Sequence, residues 1–358
     1  MAKKNKTIVI VGSHHSPAIE LIRQLKQDSK YNWQIHYIGH IHSADTHIHH
    51  TILSDPKIIY HNLKSGKFHR RYLPNTIKDI PKIIIAFFKS FLLLLKIKAD
   101  IVVSFGGYIS VPIIITSRLF FIPSVTHEQT LTISLSTKIN SYFVNKVALS
   151  FTNQPTKIKP SKIAITGNLL RHQIFQQQTK KYQSLTKQLK KFPLIYITGG
   201  NQGSQIINQN ILKILDKLQQ KFTTIHQTGH LNINKFQKLS NRLYHPTDYI
   251  SNQDIGWVLQ KSQIVISRAG ANTCQELLAL NKKSILIPLY KSQQNEQLKN
   301  AKYVKKQLAS QTIIINEKQL NGSNLLLAIN QLQKIKITPK KNQSTTNFKL
   351  LKLIHQLV

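Results

Sequence analysis

The chain is predicted to be an α/β protein of two domains, each a parallel sheet with helices on both faces. Three observations predict this. Strand-type and helix-type segments alternate from end to end, the alternation restarts beyond a link near Pro155–Ile165, and 358 residues exceed what one hydrophobic core usually serves. Hydrophobic residues make up 41% of the chain, enough material for two cores.

Short, continuous apolar runs mark strands buried on both faces. In the first half these are Thr7–Val11, Trp33–Ile38, Ile101–Phe105 and Ser124–His127, separated by helices at Ala18–Asp28, Ile80–Lys98 and Pro112–Leu119. In the second half they are Leu194–Thr198, Thr223–Gln227, Ile264–Ser267, Ser284–Pro288 and Thr312–Ile315, with a helix at Gln205–Leu218 and another carrying Glu276. Lys336–Ser344 is polar, and Asn347–Val358 returns to an amphipathic helix through Phe348, Leu350, Leu351, Leu353 and Ile354. The expected domains are 1–160 and 161–335, with 336–358 as a tail whose helix packs back on the first domain.

Two strand-to-helix turns suit phosphate. After Leu194–Thr198 comes Gly199-Gly200-Asn201-Gln202-Gly203-Ser204, and after Ile264–Ser267 comes Arg268-Ala269-Gly270-Ala271. Glycine lets backbone approach an anion closely, and the following helix N-terminus presents free N–H groups with partial positive charge. Arg268 adds a cation, while Glu276, one to two turns into its helix, can accept from paired sugar hydroxyls. The chemistry suggested is a nucleotide diphosphate held by one sheet.

Lys and Arg total 50 against 13 Asp and Glu, a net charge of +37, yet only seven cations are arginine. Such a surface attracts anionic lipid at about 1 kcal/mol per basic residue near the membrane. No nucleic-acid fold signature accompanies it, so no specific nucleic acid is expected. Ile80–Asp100 concentrates Ile, Phe and Leu with Lys82, Lys89, Lys96 and Lys98. Its apolar stretch Ile83–Leu95 reaches roughly 20 Å as a helix, short of the roughly 30 Å of a bilayer core. It fits either a core helix or one lying at the interface. The start of the chain lacks a signal-peptide pattern, and a single cysteine, Cys274, excludes a disulfide framework and fits a packed thiol in a reducing compartment. His40, His42, His47, His49 and His50 crowd one stretch without a helical His-x-x-x-His pair, and no Asp-x-Asp metal motif occurs; neither a metal nor a cofactor is expected.

GGNQGS at 199–204, Thr166-Gly167-Asn168-Leu169-Leu170-Arg171, Ile225-His226-Gln227-Thr228-Gly229, SRAGANTCQE at 267–276 and the Q-x-x-N-A ending at Ala301 together resemble the MurG family. Its members add N-acetylglucosamine to the lipid-linked muramyl-peptide precursor of peptidoglycan. Val103-Ser104-Phe105-Gly106-Gly107-Tyr108-Ile109-Ser110 and Thr126-His127-Glu128-Gln129 are similar to the family's acceptor-side motifs. One loop departs: where the family has Gly-Gly-Thr-Gly-Gly-His after its first strand, this chain has Gly12-Ser13-His14-His15-Ser16-Pro17-Ala18.

The resemblance implies a glycosyltransferase-B architecture, two Rossmann-like domains facing across a cleft. It implies a peripheral enzyme on the cytoplasmic face of the cell membrane, using UDP-N-acetylglucosamine and a polyprenyl-diphosphate-linked acceptor with inversion at the anomeric carbon. On the donor side it points to Arg171 for the leaving phosphate and to Gly200, Asn201, Gln202, Gly203, Arg268, Gly270 and Thr273 around the diphosphate. Glu276 would take the ribose, Tyr249 and Ile250 the uracil, and Gln297 and Asn300 the sugar hydroxyls. His14 is the expected base, with His15 adjacent; His127 and Glu128 flank the acceptor, as do Gly106, Gly107, Tyr108 and Gln129. The altered first loop also fits an N-acetylglucosaminyltransferase acting on another polyprenyl-diphosphate-linked sugar. A non-catalytic UDP-sugar-binding protein docked on the membrane is the alternative from a different class.

Overall fold

Alternate residues of the first strand serve two cores. In β1 (Lys4–Val11), Ile8 and Ile10 enter one hydrophobic cluster while Val9 and Val11 enter another, the period-2 consequence of a strand covered on both faces. The computed structural model describes residues 3–12, 15–40, 52–67, 73–152, 157–290, 292, 295–337 and 348–358, with His15 and Leu73 by backbone alone.

Two compact units result, 1–171 with 346–358, and 172–345. In the first, β1 is followed by α1 (His15–Lys26), β2 (Tyr31–Gly39), β3 (Ile58–Asn62), α2 (Leu73–Ile97), β4 (Ile101–Ser104) and α3 (Ser110–Leu119). Then come β5 (Ser124–Glu128), α4 (Leu135–Phe143), β6 (Lys146–Leu149) and β7 (Ile163–Ile165). All pair in parallel in the order β3-β2-β1-β4-β5-β6-β7.

The second unit repeats the scheme. It runs β8 (Leu194–Thr198), α5 (Gln205–Leu212), α6 (Leu215–Gln219), β9 (Thr223–Gln227), α7 (Ile233–Gln237), β10 (Tyr244–Thr247) and α8 (Ile255–Lys261). It continues through β11 (Ser262–Ser267), α9 (Ala271–Ala279), β12 (Lys283–Leu286), α10 (Glu296–Leu308), β13 (Thr312–Ile314) and α11 (Gly322–Lys334), in the parallel order β10-β9-β8-β11-β12-β13. In each sheet the order reverses beside the first strand. Open α/β sheets bind ligands there, outside the strands' carboxyl ends.

Apart from β6, the interior strands form where their apolar runs predict them. β3, β7 and β10 were not anticipated, and each is a sheet edge: β7 is three residues long and β10 contains Pro246, tolerated only where no ladder donor is needed. Interior β6, four residues, was also missed. Because β7 pairs with β6, residues 161–171 belong to the first unit, and the division falls after Arg171 instead of after 160. The single helix expected over Gln205–Leu218 is two, broken at Ile214, whose N–H bonds the Ile211 carbonyl at 3.1 Å.

The last helix, α12 (Lys349–Leu357), lies in the first unit, where Leu350, Leu351, Leu353 and Ile354 join the cluster of Ile8, Ile10 and α1. Asp28 orders this corner: its carboxylate accepts from His355 Nε2 (2.7 Å), Trp33 Nε1 (2.6 Å) and the Lys30 N–H (2.9 Å). Burial alone would raise its pKa, but these hydrogen bonds outweigh it and hold Asp28 below the usual carboxylate value. A depressed carboxylate stabilises above its unfolded pKa, and that contribution is lost only as pH falls through the folded value.

Ile354 is fully buried. Ile354→Ala is expected to destabilise the first unit by about 2–5 kcal/mol. Amide exchange should accelerate in β1 and α1 and stay unchanged in β8, so equal exchange in all three would refute the packing of α12.

Candidate active site

At the carboxyl edge of the second sheet two backbone turns press together. Gly203 (φ +75°) has no room for a side chain, since a Cβ there would lie 1.9 Å from the Thr228 carbonyl oxygen. Gly229 (φ +83°) mirrors it, its Cβ position 2.2 Å from the Gln202 oxygen. Gly200 (φ +88°) differs: nothing lies within 4 Å of its Cβ position, so the loop's outward face is open there. Asn201 and Gln202 are exposed on that face.

Gln227, buried at the end of β9, ties the loop to its surroundings. Its Nε2 donates to the Gly200 carbonyl (3.0 Å), and its Oε1 accepts from Tyr196 Oη (3.0 Å) and the Ile250 N–H (3.3 Å). One amide thus connects the glycine turn to the Tyr249–Ile250 segment, Tyr249 half-buried and Ile250 buried. His226 supports the same turn from beneath. Its Nε2 donates to Asn208 Oδ1 (3.0 Å), whose Nδ2 donates to the Thr228 carbonyl (2.9 Å), which leaves Nδ1 to accept from Tyr244 Oη (2.8 Å). Complete burial depresses its pKa to about 3, so the ring is neutral.

Across β8, Gly270 caps α9 with open space at its Cβ position. Thr273 and Glu276 follow on α9, three residues apart and so on one face, Thr273 half-buried and Glu276 buried. Asn300 Nδ2 donates to the Ala269 carbonyl (3.1 Å) beneath that turn. Its buried Oδ1, like buried Ser267 Oγ at the end of β11, has no hydrogen-bond partner among the described residues. Buried acceptors and hydroxyls without a protein partner call for one from water or a polar ligand, and here they lie beside open backbone. Gln297 Oε1 accepts the Leu289 N–H (3.0 Å) and so braces the polar loop.

Arg268 is anchored within the protein. Its guanidinium is spent on protein groups: Ser204 Oγ (2.8 Å), the Ile287 carbonyl (3.2 Å) and the carboxylate of Glu317. Burial works against ionised Glu317, but bonds from the Tyr290 N–H and Arg268 outweigh it and keep the carboxyl below its usual range. Arg268 therefore fixes Ser204, the N-cap residue of α5. Cys274 is buried, and burial, with the charge of Glu296, pushes its thiol up and leaves it inert.

In the first unit, Gly106 (φ +75°) and Gly107 (φ +83°) form the turn after β4, held by bonds from their N–H groups to Ser104 Oγ (3.1 Å) and Ser136 Oγ (3.2 Å). Asn140 anchors the floor through Ser110 Oγ (3.0 Å). Tyr108 follows, half-buried. His127 is buried, and its Nε2 donates to the Gly167 carbonyl (3.0 Å). Burial lowers its pKa, outweighing the opposing effects of Gly167 and Glu128. Its Nδ1 is then an acceptor with no partner among the described residues.

Glu128 is bonded within its own loop. One oxygen accepts from the Thr130 N–H (3.2 Å) and Oγ1 (2.9 Å), the other from the Ser134 N–H (2.8 Å), so the carboxylate shapes the 128–134 loop. Gln129 beside it is buried, with its Nε2 lacking a partner among the described residues. Arg171 is the last residue of the first unit before the division. His14 lies outside the described residues, as do the side chain of His15 and, of the histidine-rich run, all but His40. Among the described residues no group of three or more His, Cys, Asp or Glu could hold a metal ion. Sequence reasoning gave no role to Gln227, Asn208 or Glu317, although Gln227 stood in a quoted motif and Glu317 is one of only thirteen carboxylates.

Two parallel α/β units, with a glycine turn at the switch point of the second, form the two-domain glycosyltransferase-B fold. Residues 8–149 match the model of the glycosyltransferase family 28 N-terminal domain and residues 194–357 that of its C-terminal domain. The chain belongs to glycosyltransferase family 28. It is 32% identical over 333 residues to a Clostridium botulinum (strain Kyoto) protein named UDP-N-acetylglucosamine--N-acetylmuramyl-(pentapeptide) pyrophosphoryl-undecaprenol N-acetylglucosamine transferase, covering 91% of each chain. The protein of the same name from Clostridium tetani is 31% identical over 350 residues, 96% of this chain and 94% of the relative. The crystal structure of Acinetobacter baumannii MurG superposes with a TM-score of 0.70 at 20% identity, covering 98% of this chain and 99% of that one.

The two glycines should respond differently to alanine. Gly203→Ala must push apart two backbone segments, whereas Gly200→Ala meets open space and bears only the left-handed conformation, about 1–2 kcal/mol. Thermal unfolding should show the larger loss for Gly203→Ala; the reverse order would contradict the close contact with Thr228.

Proposed function

We propose that the chain transfers N-acetylglucosamine from UDP-N-acetylglucosamine to an undecaprenyl-diphosphate-linked muramyl-pentapeptide with inversion, as a peripheral enzyme on the cytoplasmic face of the membrane. The observation that carries the reading is the open backbone at Gly200 and Gly270, flanked by unsatisfied Asn300 Oδ1 and buried Glu276. The names of the relatives at 31–32% identity agree with it.

In this reading the donor diphosphate lies against Gly200 and Gly270, taking hydrogen bonds from loop amides and the N-termini of α5 and α9. Glu276 accepts from the ribose, Tyr249 and Ile250 face the uracil, and Asn300 Oδ1, with Thr273 and Gln297 nearby, serves the sugar hydroxyls. Arg268 positions Ser204 and the loop. Arg171 is kept as the cation for the leaving phosphate.

The acceptor is assigned to the first unit, at Gly106–Tyr108 and Gln129. Its hydroxyl must lose a proton as it attacks the anomeric carbon, and a neutral imidazole suits that task. His14 is the candidate by position in the first loop. His127 is the second, because its Nδ1, without a partner among the described residues, can only accept. Preformed dipoles stabilise the departing diphosphate.

The membrane reading rests on α2. Ala86, Ser90 and Leu94 are buried on one face, while Ile77, Ile84, Ile85, Phe88, Leu92 and Leu95 form an outward stripe 51–65% exposed, among Lys78, Lys82, Lys89 and Lys96. Among the described residues no helix is long and apolar enough to cross a membrane. Apolar stripe and lysines together suit a helix lying in an anionic interface.

Purified protein with UDP-N-acetylglucosamine and the lipid-linked muramyl-pentapeptide should yield the disaccharide lipid and UDP; absence of product would sink the reading. The changed first loop favours one competitor, so a polyprenyl-diphosphate-linked N-acetylglucosamine is the control acceptor. Glu276→Ala should weaken UDP binding by about 1–3 kcal/mol by calorimetry. An unchanged affinity would remove the ribose assignment. Phe88→Ser with Leu92→Ser should lower co-sedimentation with phosphatidylglycerol vesicles at least about tenfold, since each buried apolar side chain contributes roughly 1.5–3 kcal/mol, and UDP binding should stay intact. Sedimentation equal to wild type would place membrane contact elsewhere.

A further inference from the structure

Beyond β12 the chain turns back on itself at Tyr290. The Leu289 carbonyl accepts the Ser292 N–H (3.2 Å), which leaves Tyr290 at the tip of the turn, 55% exposed. An exposed side chain at a loop tip ordinarily keeps its freedom. This one is held from three directions. The Leu289 N–H donates to Gln297 Oε1 on α10 (3.0 Å), and the Tyr290 N–H donates to Glu317 Oε2 in the turn after β13 (3.0 Å). Lys318 Nζ lies 4.2 Å from the centre of the tyrosine ring. Glu317 is itself fixed by Arg268, so two consecutive residues grip the main chain and the ring of Tyr290.

The arrangement changes the phenol. A hydrogen bond from Lys318, together with its positive charge, holds the hydroxyl below the usual tyrosine value. A phenol oxygen that accepts from an ammonium still has its own O–H to give, and the accepted bond polarises that O–H into a stronger donor. The turn also stands beside the donor site. Its brace, Gln297, lies three residues before Asn300 on α10 and so on the same face, where Asn300 Oδ1 is buried without a partner among the described residues. The Ile287 N–H bonds the Ser267 carbonyl (2.8 Å), so the chain leaves the sheet alongside the turn that carries Gly270.

We propose that Tyr290 is a specificity-determining residue whose hydroxyl donates to the acetamido carbonyl of the donor's N-acetylhexosamine, with Glu317 and Lys318 holding it in place. Sugar hydroxyls both donate and accept, whereas the acetamido carbonyl only accepts, and a plain hexose has a hydroxyl where the acetamido group stands. A polarised donor fixed on the sugar side of the site selects for that carbonyl. Diphosphate oxygens also only accept, and binding of UDP alone separates the two. The proposal rests on the transferase reading for the identity of the donor.

The test is Tyr290→Phe and Lys318→Met, each titrated by calorimetry with UDP-N-acetylglucosamine, UDP-glucose and UDP. Both side chains are exposed, so neither change disturbs the core. Wild type should bind UDP-N-acetylglucosamine more tightly than UDP-glucose. Tyr290→Phe should weaken UDP-N-acetylglucosamine about fivefold or more, as for one lost hydrogen bond, and leave UDP and UDP-glucose within about twofold. Lys318→Met keeps the hydroxyl and should weaken UDP-N-acetylglucosamine less, in the same pattern. A full preference for UDP-N-acetylglucosamine in Tyr290→Phe would overturn the proposal while UDP binding upheld the donor site. An equal loss for UDP in either variant would overturn it in favour of a phosphate contact. A wild type that bound none of the three would overturn the donor reading with it.

Discussion

The contact between the Gly199–Ser204 turn and the Thr228–Gly229 turn governs the rest of the second unit. Two backbones lie where any Cβ at 203 or 229 would collide, and the polar groups freed by so close an approach are bonded by Gln227, Asn208 and neutral His226. A loop held this way does not need to order itself around a ligand, which removes part of the entropic cost of binding. Gly200 stays open because its neighbours are fixed.

A second constraint runs through both units: carboxylates are scarce, 13 against 50 Lys and Arg, and four buried or half-buried ones tie loops and elements together. Asp28 joins α1, β2 and α12; Glu128 shapes the loop after β5; Glu317 secures Arg268; Asp254 takes Thr179 Oγ1 (2.6 Å) and Ser251 Oγ (2.7 Å). In Asp28, Asp254 and Glu317 burial opposes ionisation, yet hydrogen bonds leave the net pKa depressed. Their contribution is therefore in place above the ordinary carboxylate range and is lost as pH falls through the lowered values. The surplus lysines are free to shape the outer surface, and on α2 they frame apolar residues.

Interior strands other than β6 were legible because burial on both faces leaves an unbroken apolar run, as in Ile101–Ser104 and Leu194–Thr198. Edge strands such as Tyr244–Thr247, with its proline, carry no such pattern. The glycine turns were legible as glycines, but the reason for Gly203 was not, since Thr228 meets it only through the pairing of β8 with β9. Arg268 shows the limit most plainly. Its sequence neighbours pointed to phosphate, whereas its partner Glu317 lies far along the chain and is brought near only by the fold. Glu128 likewise stood in a recognisable motif, and only its three donors reveal that it serves a loop.

The central claim is that a buried amide preorganises the donor site. Replacing Gln227 by methionine keeps the volume and removes the bonds to Gly200, Tyr196 and Ile250. Calorimetric titration of Gln227→Met with UDP, on protein whose β8 amides remain protected from exchange, measures the consequence directly. The account predicts affinity weakened about tenfold or more. Wild-type affinity in that folded variant would contradict it.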